Sequence, residues 1–200
     1  FGIVFRRFSI PLVGEVDVGF WGFPLTLFWI MAMTNIFNFM DGLDGLAGGC
    51  GVIVALFFGI ATYFEGSHFV YIFCYVLFAS ALGFLIFNFP RARIFMGDVG
   101  SQFLGFSFAA IAVIAAEYDL SRTSALVMPL LFFNFIFDTG LTFFRRLAMR
   151  QNVTEAHRSH LYQLMNRLGA SHFQVSMFHF AVTAAQGVGV LVLIQLPAES

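Results

Sequence analysis

The sequence predicts an all-α polytopic membrane protein with about six transmembrane helices in this chain. Three observations carry that expectation. Hydrophobic residues make up 60% of the 200, with 30 Phe, and only 10% are charged, a composition outside that of soluble domains. Apolar runs recur at 20–37, 46–64, 68–88, 101–117, 123–144 and 173–195, each near the roughly 20 residues needed to cross a hydrocarbon core. The runs are continuous and do not alternate, which in lipid selects helices over barrel strands.

The elements follow in order. Residues 11–19, Pro-Leu-Val-Gly-Glu-Val-Asp-Val-Gly, read as a short external loop or hairpin before the first span. A polar stretch at 38–45 separates the first two spans, and a second at 88–101 separates the third and fourth. The fifth run carries Asp138 near its end. A longer polar segment, 145–172, leads to the last span. With no internal repeat and no low-complexity linker, residues 1–200 form one membrane domain. The chain begins at Phe1 without signal-peptide organisation, so the expectation is a C-terminal portion of a larger bundle whose N-terminal helices are missing.

Arginine sets the orientation. Arg91 and Arg93 lie in one loop, and Arg145, Arg146, Arg150, Arg158 and Arg167 in another on the same side. The turns on the other side hold Arg122 against Glu65, Glu117 and Asp119. The positive-inside rule places the Arg-rich loops in the cytoplasm, with Arg6 and Arg7 as exceptions. The 38–45, 88–101 and 145–172 segments then share the cytoplasmic face. A net charge of −1 with no Lys removes any electrostatic case for nucleic-acid binding. Cys50 and Cys74 lie in apolar runs and form neither a disulfide framework nor a metal-ligand pattern.

The chemistry is concentrated in those three segments. Asn35, Asn38, Asp41 and Asp44 recur every three residues, and ionised groups at a bilayer edge are costly unless used. On a helical turn Asp41 and Asp44 would share a face, about 5–6 Å apart at Cβ. Gly42, Gly45, Gly48 and Gly49 permit close approach, to a ligand or to another helix. In the second segment Asp98 and Ser101 either cap the fourth span or, with Gly97 and Gly100 beside it, Asp98 ligates Mg²⁺, which takes one or two protein carboxylates and leaves room for phosphate and water. In the third, His157, Arg158 and His160 suit recognition of an anion, while Arg145, Arg146 and Arg150 read as membrane anchors. Asp138, in a position where a charge costs roughly 2.5–3.5 kcal/mol to insert, calls for either a structural pair with an Arg or a role in the site.

The ordered set Asn38-Phe-Met-Asp41-Gly-Leu-Asp44-Gly-Leu-Ala, Phe95-Met-Gly-Asp98-Val-Gly-Ser101 and the His-containing loop resembles the polyprenyl-phosphate N-acetylhexosamine-1-phosphate transferase family, glycosyltransferase family 4. The resemblance covers nearly the whole chain. It implies a bundle of about ten or eleven helices in the bacterial inner membrane, with a cytoplasm-facing site that uses Mg²⁺ or Mn²⁺. It implies transfer of a sugar-1-phosphate from a UDP-N-acetylhexosamine-type donor to undecaprenyl phosphate, with membrane lipids as surroundings; a homodimer is compatible. Asp98 then matches the metal ligand and Asp41 a catalytic-site acid, with Asp44 also at the catalytic centre. Gly42, Leu43, Asp44, Asn88 and Phe95 match a nucleoside pocket beside Asn38, with Phe95 stacking on uracil. His157 and His160 match the loop histidines near the diphosphate or sugar. The family's paired aspartates of an earlier loop are absent from this sequence. The spacing His157-Arg-Ser-His160 is closer to the O-antigen-initiating branch than to the phospho-N-acetylmuramoyl-pentapeptide branch. The competing expectations are a transporter or channel subunit with an acid-lined path, and an inactive subunit that retains the fold.

Overall fold

A computed structural model of the chain describes residues 2–10, 14–119, 123–152, 155 and 158–195. The chain is a multi-pass helical bundle. Two short strands, β1 (Arg7–Ile10) and β2 (Gly14–Asp17), pair antiparallel with Arg7 opposite Asp17, so the hairpin allowed over 11–19 starts earlier, with β1 before that stretch. The helices are α1 (Gly22–Phe39), α2 (Leu46–Phe64), α3 (Phe69–Asn88), α4 (Gly97–Glu117), α5 (Val127–Leu131), α6 (Phe133–Ala148), α7 (Leu161–Arg167) and α8 (His172–Gln195). Among the described residues five helices are long and apolar enough to cross a membrane, namely α1 to α4 and α8.

The expected fifth span, 123–144, departs from the sequence reading. It divides at Phe132 (φ −103°, ψ 19°) into α5 and α6. The reason is a polar row: Asn134, Asp138, Thr142 and Arg146 recur every four residues along one face of α6, and the last three are buried. That face must turn to protein, not lipid. The Gln186 side chain of α8 spans the break, its amide nitrogen toward the Leu131 carbonyl and its oxygen toward the Asn134 N–H, both at 3.1 Å. Asn134 also donates to Thr183 Oγ1 at 3.1 Å. Backbone groups freed at the break thereby find partners, as a low-dielectric interior demands.

Lipid offers no hydrophobic drive between helices, so small residues and close packing hold the bundle. The spanning segment of α2 is 67% buried and that of α4 56%, against 22% for those of α1, α3 and α8; α2 and α4 therefore form the interior. Gly105 of α4 sits where a Cβ would lie 2.9 Å from the Met33 carbonyl of α1. Phe37, Phe108, Phe132 and Phe135 make an aromatic core with ring centroids 5.1–6.0 Å apart. At the hairpin end, Glu117 accepts the N–H groups of Arg6 (2.6 Å) and Arg7 (2.9 Å), and Ser67 bonds Asp119. The three polar segments lie together at the opposite end.

Candidate active site

Asn38, in the last turn of α1, donates through Nδ2 to Asp98 Oδ1 (3.2 Å) and to Ser101 Oγ (2.8 Å). Asp98 stands in the first turn of α4 and is exposed. Neither Asp98 nor Ser101 caps the helix: the cap position is Met96, without a side-chain bond, and Ser101 Oγ turns back to the Gly97 carbonyl at 2.9 Å. Asp98 is thus left to its partner Asn38 and to whatever binds beside it. Asn35 is outside this group; its amide bonds the Met31 carbonyl of its own helix.

Asp41 and Asp44 do not share a helical turn. Residues 41–45 are an irregular turn between α1 and α2, because Gly45 takes φ +74° at the start of α2, a conformation that favours glycine. The two carboxylates diverge. Asp41 lies within electrostatic reach of Asp98: burial, and then the negative charge of Asp98, push its carboxyl up to about 6. Asp44 points the other way. Its Oδ2 accepts the Ala92 N–H at 3.2 Å, its Oδ1 lies 3.1 Å from His172 Nδ1, and its carbonyl accepts Ser176 Oγ at 2.8 Å.

Asn88 is buried and fully engaged by backbone, accepting from Gly45 N and donating to the Ile94 carbonyl, both at 2.8 Å. It braces the loop that carries Phe95, whose ring is 79% exposed. The glycines make room for this chain's own side chains. A Cβ on Gly42 would meet Tyr162 Oη at 2.1 Å, and one on Gly45 would meet Phe89 at 2.4 Å.

The third segment is fastened from below. Asp138 accepts the N–H groups of Leu161 (2.9 Å) and Tyr162 (3.1 Å) and lies 3.1 Å from His160 Nδ1. The open choice for Asp138 is therefore filled by a structural partner, and that partner is His160, not an arginine. His160 is buried and stacks on Tyr162 at 5.8 Å. Tyr162 Oη donates to the Phe39 carbonyl at 2.9 Å, and burial pushes the phenol up to about 12, so it stays a donor. Arg145 and Arg146 bond the carbonyls of Ser159 and Asn152 and shape the loop as well as carrying charge. Arg158 is exposed. His157 lies outside the described residues.

Between these walls is a cavity of about 490 Å³ lined by Gly42, Leu43, Arg158, Gln163, Asn166, Arg167 and His172. Sequence reading placed the first three in the site. Gln163, Asn166, Arg167 and His172 were missed because they are scattered single polar residues whose convergence depends on the α7–α8 turn. Among the described residues no group of three His, Cys, Asp or Glu side chains could enclose a metal. Exposed Asp98, with the Asp41 carboxyl within reach of its charge, suits only a cation that keeps most of its shell as water or phosphate oxygen.

Residues 1–116 match the family model described as glycosyl transferase family 4. The chain belongs to that family. The family membership agrees with the ordered motifs at 38–47 and 95–101. Among similar proteins, a probable undecaprenyl-phosphate N-acetylglucosaminyl 1-phosphate transferase of Bacillus subtilis (strain 168) is 35% identical over 173 residues, 86% of this chain and 48% of that protein. A phospho-N-acetylmuramoyl-pentapeptide-transferase of Listeria monocytogenes serotype 4b is 44% identical over 110 residues, 54% of this chain and 34% of that protein. One of Staphylococcus saprophyticus is 38% identical over 135 residues, covering 68% and 37%. The chain thus spans less than half the length of these relatives.

Proposed function

We propose that the protein transfers an N-acetylhexosamine-1-phosphate from a UDP-sugar to undecaprenyl phosphate. The lipid phosphate oxygen attacks the sugar-bearing phosphorus of the donor, the bond to the bridging oxygen breaks, and UMP departs with that oxygen. The observations that carry this reading are the bond of Asn38 to Asp98, the charge of Asp98 felt by Asp41, and a cavity that begins at Gly42, next to Asp41 in the chain, and has Arg158 and Arg167 on its wall. Carboxylates and guanidinium groups gathered at one end of the bundle suit a diphosphate bound with a cation.

Asp98, with Asp41 alongside, would hold Mg²⁺ or Mn²⁺, which supplies charge neutralisation on the diphosphate. Asn38 orients the Asp98 carboxylate. Arg158 donates to non-bridging oxygens, Gly42 and Leu43 form the nucleotide floor, and Phe95 offers an exposed ring for base stacking. The Arg-rich end, with seven of the ten arginines, faces the cytoplasm of a bacterial inner membrane. An N-acetylglucosamine-type donor is supported by the Bacillus relative, whose match extends over 86% of this chain. The product would start a cell-envelope polysaccharide.

The test uses membranes carrying the whole protein with undecaprenyl phosphate, Mg²⁺ and a panel of UDP-sugars. UMP release dependent on both substrates is expected. Folded protein that releases none with any sugar overturns the reading. A channel would instead need Asp41, Asp44 and Asp138 along one path, whereas Asp44 and Asp138 are each bound to loop groups at one end of the bundle.

A further inference from the structure

One titratable side chain on the cavity wall has no role in the reading above. His172 opens α8, lines the cavity, and sets its Nδ1 3.1 Å from Asp44 Oδ1. Asp44 gives its other oxygen to the Ala92 N–H and its carbonyl to Ser176 Oγ. The 41–45 turn, the loop after α3 and the first turn of α8 therefore meet on one residue. Phe89 stacks on Phe173 at 5.4 Å and 13° directly beside it, so the junction has an apolar backing.

The junction reaches the cavity through His172. Gly42 and Leu43 form one wall, and α7 with its flanking loops forms the other. The α7–α8 connection is short and bound to itself: Asn166 Nδ2 donates to the Ala170 carbonyl at 2.9 Å. The start of α8 is thereby linked, through this connection, to Asn166 and Arg167 at the end of α7. We propose that His172 is a positioning residue for the nucleotide end of the donor, acting through Asp44 to hold these two walls at their spacing. This rests on the donor reading above.

The pair is partly exposed, with His172 at 43% and Asp44 at 22%. Pairs of that kind add little to global stability, so the contribution is to binding: a wall already in place loses less conformational freedom when the donor enters. The start of α8 does not depend on the imidazole. Ser171 Oγ accepts the Gln174 N–H at 3.2 Å, and Gln174 Oε1 accepts the Ser171 N–H at 2.9 Å, a reciprocal cap. A neutral ring still donates through Nδ1–H, so the contact does not require a charged histidine.

The experiment compares wild type, His172→Ala, His172→Asn, Asp44→Ala and the Asp44→Ala/His172→Ala double variant, each as whole protein in membranes or detergent. UDP-N-acetylglucosamine is the donor probe, and UDP the probe for direct binding. His172→Ala is expected to raise the donor KM and the Kd for UDP about ten-fold, while kcat and the KM for undecaprenyl phosphate stay within about two-fold. His172→Asn, which keeps a donor within reach of Asp44, recovers most of the loss. In the Asp44→Ala background removing His172 adds nothing, the coupling expected of groups that act together. The thermal midpoint of His172→Ala matches wild type. Unchanged donor KM and Kd in an otherwise active His172→Ala protein overturns the role of His172 and leaves the transferase reading standing. So does a fall in kcat at constant KM, or full additivity with Asp44→Ala. A wild type that neither releases UMP nor binds UDP overturns both.

Discussion

Asp138 and His160 face each other at 3.1 Å in the buried seam between α6 and α7, and the same carboxylate takes the first two N–H groups of α7. One residue inside the bundle therefore fixes where the loop to the site begins. Removing it takes one buried partner from His160 and the acceptor from two amides, and breaking such a buried set costs about 3 kcal/mol. Asp138→Ala is expected to lower the thermal midpoint and to speed hydrogen exchange at Leu161 and Tyr162 ahead of the spans. Exchange at those two amides that stays as slow as in wild type would show another anchor.

Asp98 carries the opposite expectation. It is exposed, caps nothing, and its single side-chain partner among the described contacts is Asn38. Asp98→Asn keeps the shape and removes the charge, so the fold should persist while turnover falls on the order of a thousandfold. Mg²⁺ titration of the residual rate is the companion measurement, and an unaltered rate removes the cation role.

Asp41 provides a pH signature. Burial and the neighbouring Asp98 charge raise its carboxyl from 3.8 to about 6, so between those values the folded state binds more protons than the unfolded one. Stability from this group is complete below pH about 4 and is lost as pH rises through about 6. In detergent without divalent cations, wild type should lose stability across that interval relative to Asp41→Asn. Added Mg²⁺ should shrink the difference, because a cation beside the pair favours the ionised carboxyl. A difference between the two proteins that does not vary with pH would contradict this.

Gly42 tests whether the site glycines serve ligand or protein. Its missing Cβ admits Tyr162 Oη, at 2.1 Å from where that atom would stand. Gly42→Ala should push Tyr162 off the Phe39 carbonyl and cut donor binding at least about ten-fold. Adding Tyr162→Ala should return part of it. If the second change gives no recovery, Gly42 is required for the ligand itself.

The helical class, the membrane setting and the family were legible because each rests on local pattern: apolar runs of spanning length, and motifs contiguous in the chain. The five long spans follow those runs closely. The division at Phe132 was not: the polar row at 134, 138, 142 and 146 is visible in the chain, but the side chain that spans the break, Gln186 of α8, lies in no window around it. The same limit explains Asp41 and Asp44. Their three-residue spacing implied one helical face, whereas α1 ends at Phe39, before either of them, and α2 begins only after Gly45 at φ +74°, so both lie in the turn between. His172 and Tyr162 were illegible for a related reason: each is an isolated residue whose meaning comes from a contact more than a hundred positions away, Asp44 for one and Phe39 for the other.

The approach of α1 to α4 ties packing to chemistry most directly. Gly105 leaves the Met33 carbonyl and the Thr34 Cα each 2.9 Å from where its Cβ would stand, and seven residues before it on the same helix Asp98 meets Asn38 of α1. A methyl group at 105 must part the helices, and overpacking of this kind costs about 1–3 kcal/mol. Because backbone, not a flexible side chain, is the obstacle, the displacement should carry to the helix ends and stretch the 3.2 Å contact between Asn38 and Asp98. Gly105→Ala is therefore expected to lower both the thermal midpoint and kcat. Gly83→Ala is the matched control: nothing lies within 4 Å of its Cβ position on α3, and replacing a helical glycine by alanine favours the helix by up to about 1 kcal/mol. Equal behaviour of the two variants would mean that the α1–α4 spacing does not set the geometry of the site.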